Sequence, residues 1–392
     1  MNSVEYLEEM KAIQEKLLLY LEGEAENMSA DDIFKDKKFH DYLSYLHLVS
    51  KISNNHHRCE NFFSKIKEIL QLFKEDIKTK ISNSQLFNIF KSNKQILLFL
   101  IEEGLLAFDE YIVRTIINRK YIDAKYPQYF QPEIQPFINK EWFPKYDGKN
   151  RSNEWVLEIQ KEIPEDFYEK RKIGENDNYI CTLIRKDLID DFVVYVTKNN
   201  YRLNSTINPS IYETNNFLLK KKKELNLLSS KKENKNPFSI NQKNEETTLI
   251  EYAVFFGSIQ IFNYLRFSGI ELTPSLWLCA IHGKNADIIH ILEENSIVLE
   301  EKSYEECLKE SIKCHHNDIA NYIQNQYLLN NNSNDIFVNY LKWYNFHFEQ
   351  NDLIDKSSFC YLCEYDYYIF ANFLLKEMDI DVNMKIIYMT KF

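Results

Sequence analysis

The sequence has few of the residues that interrupt regular secondary structure. Only 7 of its 392 residues are glycine and 8 are proline, so tight turns have few of their usual residues. No two glycines lie within five residues of each other. This excludes the dinucleotide-binding fingerprint and the phosphate-binding P-loop, which both need closely spaced glycines. The sequence also has no Gly-x-Ser-x-Gly or His-Glu-x-x-His motif. We therefore expect no enzyme of a recognised kind.

Long apolar runs are absent as well. The longest strongly apolar run, Ile96 to Ile101, is too short to span a bilayer. The first residues carry acids at positions 5, 8 and 9 and no basic group, so we expect no secretory signal and no membrane partner. The 7 cysteines are odd in number and scattered, which is typical of reduced thiols inside a cell. We expect a cytoplasmic protein, with a nuclear location as the alternative.

What the chain has in abundance is helix-forming and aromatic residues. Leu, Ile, Lys and Glu are common, and there are 26 Tyr and 27 Phe. This composition favours helices joined by short connections. The formal net charge of −11 argues against a surface that binds nucleic acid generally. We predict an all-α fold.

One short pattern occurs three times between Thr248 and Ile323. Each copy has a small residue (Ala253, Ala280 or Ser311) with apolar residues eight and twelve places later. The later apolar residues are Ile261, Leu265, Ile288, Leu292, Ile319 and Ile323. This spacing suits two short antiparallel helices that pack closest at the small residue. Because one such unit cannot bury its apolar face alone, we predict a solenoid of stacked helix hairpins.

Residues typical of helix starts and helix ends occur within these copies. Thr273–Pro274 has the order of an N-cap followed by a first-turn proline, and Ser303–Glu306 fits a capping box. Gly257 and Gly269 lie where a left-handed residue ends a helix; Lys284 takes that place in the second copy. The small residues are 27 and 31 positions apart, a short spacing for an array of helix hairpins. We expect short hairpin fingers and a shallow groove.

We divide the chain by pattern into three parts: residues 1–125, 126–247 and 248–392. The first part is an N-terminal helical region, with helices expected near 4–21, 39–52, 60–80, 84–104 and 111–122. We expect these helices to stack onto the same array. The third part holds the repeats.

The middle part, 126–247, contains three kinds of segment. Four of the eight prolines fall among aromatic residues in 127–144, which predicts an irregular or short-helix connector. A helix pair follows at 179–185 and 188–196. The segment 220–247 contains eight lysines and four glutamates, and this composition predicts a solvated loop. Nuclear import, or weak binding of nucleic acid or an acidic partner, is the alternative.

The repeats resemble ankyrin repeats. The matching residues are Thr248, Ile250, Ala253, Gly257, Ile261, Phe262, Leu265 and Gly269. Leu249 and Glu251 replace the proline and histidine of the family's opening box. A later copy carries Leu362, Phe370 and Leu374 and ends in Asp381-Val382-Asn383.

Together with 171–177 and 213–215, the repeats look like a divergent ankyrin subfamily. That subfamily is expanded in protists and catalogued mainly as a domain of unknown function. The resemblance covers roughly residues 85 to 392. It implies a stacked helical solenoid used for protein–protein contact, with no catalytic residues and no cofactor.

We therefore expect a non-enzymatic protein–protein interaction scaffold whose partners the sequence does not name. A small-molecule ligand is not expected. Loops on a rigid array usually carry recognition, so we place partner contacts on the connectors 270–274 and 297–302. The residues proposed for contact are Ile270, Glu271, Thr273, Ile297, Glu300, Glu301 and Lys302. The aromatics Tyr252, Tyr264, Phe267 and Trp277 are a second possibility, although we expect most of them to be buried between repeats.

Two clusters have residue types that metals or catalysis use. Cys360-x-x-Cys363 has Cys307, Cys314, His315 and His316 upstream, and zinc favours such ligands. We interpret Cys360 and Cys363 as small apolar core residues of a predicted helix. His56-His57-Arg58-Cys59 is interpreted as a polar helix boundary. An unrecognised enzymatic site that uses His40, His47 and this cluster remains the alternative, and we expect no metal and no cofactor.

Overall fold

The computed structural model describes residues 3–25, 27–35, 37, 40–59, 61–118, 125–145, 155–220, 247–328, 333–347 and 356–377. In this part of the chain every regular element is a helix, and one isolated backbone bridge joins Thr206 to Thr248. The predicted all-α class is confirmed.

The α-helices are numbered here in chain order. They are α1 Ser3–Glu22, α2 Ala30–Phe34, α3 Tyr42–Asn55, α4 Phe62–Leu72, α5 Lys74–Lys80, α6 Asn83–Phe90, α7 Lys94–Glu102, α8 Glu110–Ile117, α9 Tyr126–Tyr129, α10 Gln131–Ile134, α11 Trp155–Gln160, α12 Phe167–Ile173, α13 Tyr179–Arg185, α14 Ile189–Lys198, α15 Asn216–Lys220, α16 Leu249–Phe255, α17 Ile259–Phe267, α18 Leu276–Gly283, α19 Ala286–Glu294, α20 Glu301–Lys313, α21 Asn317–Tyr327, α22 Ser333–Lys342, α23 Lys356–Glu364 and α24 Tyr368–Glu377. A 3-10 helix, Gln135–Phe137, follows α10.

The helices fall into two compact units. The terminal unit comprises residues 1–73 and 301–392, and the central unit comprises residues 74–300. In the terminal unit α1 contacts α2, α4 and α24, so segments from both ends of the sequence share one core. The three ranges 1–125, 126–247 and 248–392 were drawn from sequence pattern and remain a prediction.

Three helix hairpins follow one another in the central unit. They are α13–α14, α16–α17 and α18–α19, and the two helices of each hairpin contact each other. The first helices also pack in sequence, α13 on α16 and α16 on α18, and α14 packs on α17. Every residue of α16 is buried, as expected of a helix with neighbours on several sides.

Six helices, including the first helix of each central hairpin, end in one kind of turn. A residue with a left-handed backbone (φ between 47° and 66°) lies one or two places after the end of α13, α16, α18, α20, α22 and α23. These residues are Asp187, Gly257, Lys284, His315, Tyr344 and Asp366. In five of the six turns, the next amide donates a hydrogen bond of 2.9–3.0 Å to the carbonyl five residues earlier, as from Ser258 to Ala253. This is the Schellman arrangement, which satisfies carbonyls that the helix end leaves open.

The predicted helix ends are confirmed in part. Gly257 and Gly269 have φ of 66° and 87°, and Lys284 has φ of 47°. The expected helix start at Thr273 is displaced, because Ser275 is the N-cap of α18. The capping box at Ser303–Glu306 is wrong, because α20 already begins at Glu301.

Thr248 caps α16 together with Glu251. Its hydroxyl accepts a hydrogen bond from the Glu251 amide at 3.3 Å, and the Glu251 carboxylate accepts one from the Thr248 amide at 2.9 Å. The two hydrogen bonds form a reciprocal capping box at the start of α16.

The proline-rich connector is a series of short helical turns. Prolines occupy the first turns of α9, α10 and the 3-10 helix, where their missing N–H has no helical partner to lose. Tyr129 and Phe130 are fully buried, and Tyr126 and Phe143 nearly so. The aromatic side chains of this segment therefore form part of the core of the central unit.

His47 is a half-buried histidine of the terminal unit, with 14% of its side chain exposed. Its ring stacks on Tyr344 at a centroid distance of 4.9 Å. Burial, with a smaller contribution from Lys51, lowers the pKa of His47 to about 3. The Asp366 carboxylate lies 3.8 Å from His47 Nε2, but its side chain is 46% exposed. Solvent therefore screens its charge, and it does not raise the pKa of His47 back to the usual value.

Candidate interaction surface

The first two central hairpins are joined by hydrogen bonds at their turns. The Asp187 carboxylate accepts the amides of Gln260 and Ile261 at 3.0 Å each. It thus caps α17 from the preceding hairpin, and a carboxylate is favourable at a helix N-terminus. The Ser258 hydroxyl donates to the Ile184 carbonyl at 2.6 Å.

A largely buried arginine, with 10% of its side chain exposed, links the same two hairpins. Arg185 Nε lies 2.5 Å from a Glu175 carboxylate oxygen, and Arg185 Nη1 donates to the Tyr252 hydroxyl and the Asn176 carbonyl at 2.9 Å. Burial raises the pKa of Tyr252 well above its usual value, which keeps this hydroxyl neutral. The charged group is paired, as a buried guanidinium requires.

The second and third hairpins make an even closer contact. A Cβ atom added at Gly283 would lie 2.6 Å from the Val254 carbonyl oxygen, so the end of α18 abuts the backbone of α16. The Glu251 carboxylate also accepts the Ser275 hydroxyl at 2.8 Å. The packing role of Gly283 was missed in the sequence analysis.

The residues predicted to define the repeats lie where the pattern requires. Those at core positions have at most 1% of their surface exposed: Ala253, Leu265, Ala280, Leu292 and Ser311. Thr248, Gly257 and Gly269 occupy a helix start and two left-handed helix ends.

The residues predicted for partner contact are of two kinds. Glu271, Glu300, Glu301 and Lys302 are exposed, and Ile270, Thr273 and Ile297 are half-buried. The Ile297 carbonyl accepts the Trp277 indole N–H at 2.9 Å, so this residue holds the connector in place. Glu301 and Lys302 form the first turn of α20 and belong to the terminal unit, so their placement in a connector was wrong.

Two apolar side chains stand out on the central unit. Phe267, at the end of α17, is 78% exposed, and Val298, after the end of α19, is 74% exposed. Phe267 is the last residue of the second helix of its hairpin, and Val298 lies four residues after the second helix of the next. Of the four aromatics considered for recognition, Trp277 and Tyr252 are buried and Tyr264 is half-buried. Val298 was missed, because a lone valine gives no signal of exposure in sequence.

The lysine-rich segment 220–247 lies in sequence between two hairpins that pack on each other. Residues 221–246 lie outside the described residues, and α15 ends at Lys220. The hairpins on either side of it, α13–α14 and α16–α17, contact each other directly. The segment is therefore an insertion between two packed repeats.

The Cys360-x-x-Cys363 pair lies on α23. Cys360 is half-buried and Cys363 is exposed, while Cys307 and Cys314 are buried. The interpretation as core filling is wrong for the exposed Cys363 and is met only in part by the half-buried Cys360. Among the described residues, neither Cys360 nor Cys363 belongs to a group of three potential metal ligands.

Comparison of the chain with protein-family models, curated proteins and solved structures finds no match. None of the helices described is both long enough and apolar enough to cross a membrane.

Proposed function

We propose that the protein is a non-enzymatic interaction scaffold, an ankyrin-like stack of helix hairpins that binds a protein partner. The observation that carries this proposal is the packing of α13 on α16 and α16 on α18, with the same left-handed turn in each hairpin. Stacked hairpins present successive connectors along one rigid array, which is how repeat proteins build binding surfaces.

The binding surface we assign consists of the two connectors of the central unit and the side chains beside them. Phe267 and Val298 supply exposed apolar area, and an aromatic side chain that becomes buried is a frequent hot spot. Glu271 and Glu300 are exposed on the same connectors. A fitting partner has an apolar anchor flanked by basic residues, since such charges complement the two carboxylates.

Proximity labelling in cells that naturally contain the protein tests this assignment. The full chain is compared with Phe267→Ala and Val298→Ser. We expect the parent to label a reproducible set of proteins and both variants to lose the same members. Val194→Ser is the matched control, because Val194 is also an exposed valine of the central unit (64%) but lies on α14.

Two results would count against the proposal. A parent chain that labels no reproducible partner argues against a scaffold. Equal loss of partners in Val194→Ser and Val298→Ser argues against the connectors as the binding surface, because Val194 lies within α14 and not on a connector.

A further inference from the structure

Three histidines meet at one place in the terminal unit. His56 is the C-cap of α3, His57 follows it, and His316 is the N-cap of α21. One ring nitrogen from each lies within 4.8 Å of the other two. The ring centroids are 4.4, 4.9 and 5.3 Å apart. His56 and His316 are 2% and 0% exposed, so the cluster is largely shielded from water.

The spacing of the nitrogens suits one metal ion. His57 Nδ1 lies 3.2 Å from His316 Nε2. Two nitrogens bound to one tetrahedral zinc ion, each about 2.0–2.1 Å from it, lie about 3.3–3.4 Å apart. The contact also requires at least one of these nitrogens to be unprotonated, and a metal ion binds the unprotonated imidazole nitrogen.

The surrounding groups match the outer shell of a histidine metal site. His56 Nε2 lies 2.9 Å from a Glu22 carboxylate oxygen, and His56 Nδ1 lies 2.8 Å from the Cys314 carbonyl oxygen. The Cys59 sulfur lies 3.0 Å from His57 Nε2. A histidine that binds a metal through one nitrogen normally donates the other N–H to a carboxylate or carbonyl, which orients the ring. Both ring nitrogens of His56 have an oxygen partner. When one nitrogen exchanges its partner for the ion, the other nitrogen keeps its acceptor.

We propose that His56, His57 and His316 bind one divalent transition-metal ion of the zinc class. Three imidazole nitrogens leave a fourth position of the tetrahedron for water or another ligand. Magnesium and calcium are poor candidates, because they prefer oxygen ligands.

The ion has a structural consequence that does not depend on the scaffold function. His57 and His316 are 259 positions apart in sequence, and the ion holds the segment after α3 against the turn between α20 and α21. Since the unfolded chain does not present these ligands together, binding adds to the stability of the folded terminal unit.

The test uses the full chain without a histidine tag, freed of metal by a chelator and titrated with cobalt(II) and zinc(II). We expect one ion per chain, a visible cobalt absorption typical of tetrahedral coordination, and a zinc-dependent rise in melting temperature. His57→Ala and His316→Gln should weaken zinc binding by at least about tenfold, since even outer-shell changes often cost that much. His40→Ala and His290→Ala, at exposed histidines, should leave the affinity unchanged.

Circular dichroism of each metal-free variant separates loss of the site from loss of the fold. Replacing the fully buried His316 can prevent folding. Because His57 is only half-buried, we expect His57→Ala to fold, and its zinc affinity then tests the site. Zinc binding of equal strength in the parent and in a folded His57→Ala would overturn the proposal. A sulfur-to-cobalt charge-transfer band would overturn the three-histidine ligand set in favour of Cys59.

Discussion

Replacing Gly283 by alanine sets two physical effects against each other. Gly283 is the last residue of α18, and alanine in place of a helical glycine stabilises a helix by about 1 kcal/mol. Helix propensity alone therefore predicts that Gly283→Ala makes the protein more stable. The packing of α18 on α16 predicts the opposite.

The contact distances decide which effect dominates. The new Cβ would lie 2.6 Å from the Val254 carbonyl oxygen, 3.2 Å from the Phe255 carbonyl oxygen and 3.3 Å from the Gly257 nitrogen. All three are backbone atoms, so no side chain can rotate away, and the two helices must separate. Overpacking of this kind costs about 1–3 kcal/mol. Taking the upper end and subtracting the gain in helix propensity leaves a net loss of about 2 kcal/mol.

Urea denaturation of the full chain, followed by circular dichroism, measures the change. Ala12→Gly, at an exposed position of α1, calibrates the propensity effect and should cost about 1 kcal/mol. If Gly283→Ala instead gains about 1 kcal/mol, the close approach of α18 to the Val254 carbonyl is refuted, and with it the packing of these hairpins.

Three further predictions follow from the described contacts. Ala253→Asp should cost about 4 kcal/mol or more at pH 7, because burial raises a carboxyl pKa by about three units or more; Ala286→Asp, at an exposed first-turn position of α19, should stay within about 0.5 kcal/mol of the parent. A melt of Ala253→Asp equal to the parent's contradicts the placement. Thr248→Ala should cost about 1–2 kcal/mol by removing the cap of α16, and an unchanged urea midpoint would show that the cap contributes nothing. Since the folded pKa of His47 is about 3, stability should fall as the pH drops from about 6.5 towards 3, by up to about 2 kcal/mol at pH 5. His47→Gln should make that dependence shallower but not abolish it, because burial also lowers the pKa of His315 to about 3. An equal slope in both proteins would contradict the shift at His47.

The sequence predicted the helix hairpins well where their pattern is repetitive. The spacing after Ala253 and Ala280 identified both helices of two hairpins, because small and apolar residues recur at positions set by helix geometry. Gly257 and Gly269 were placed at helix ends because glycine adopts the left-handed region without strain.

The recurrence of the turn beyond these copies could not be read from sequence. Asp187, Tyr344 and Asp366 have the same left-handed backbone without glycine to mark it. Tertiary packing holds these residues in a conformation that their own preferences disfavour. Turns of this kind become visible only in the structure.

The histidine cluster was missed for a different reason. His56 and His57 are adjacent in sequence, but their companion His316 comes from the turn of a distant hairpin. Ligand spacing along the chain identifies a metal site only when the ligands are close in sequence. The sequence pattern also did not predict that α1 and α24 share one core, because such patterns report only on residues that are close in sequence.

The central claim is that consecutive hairpins of the central unit stabilise one another. Native-state hydrogen exchange of the full chain, measured over a series of low denaturant concentrations, tests it directly. The account predicts that amides in α16 and α18 become exposed together, with one free energy of opening and one dependence on denaturant. Amides of α18 that exchange through their own opening while α16 stays protected would contradict it.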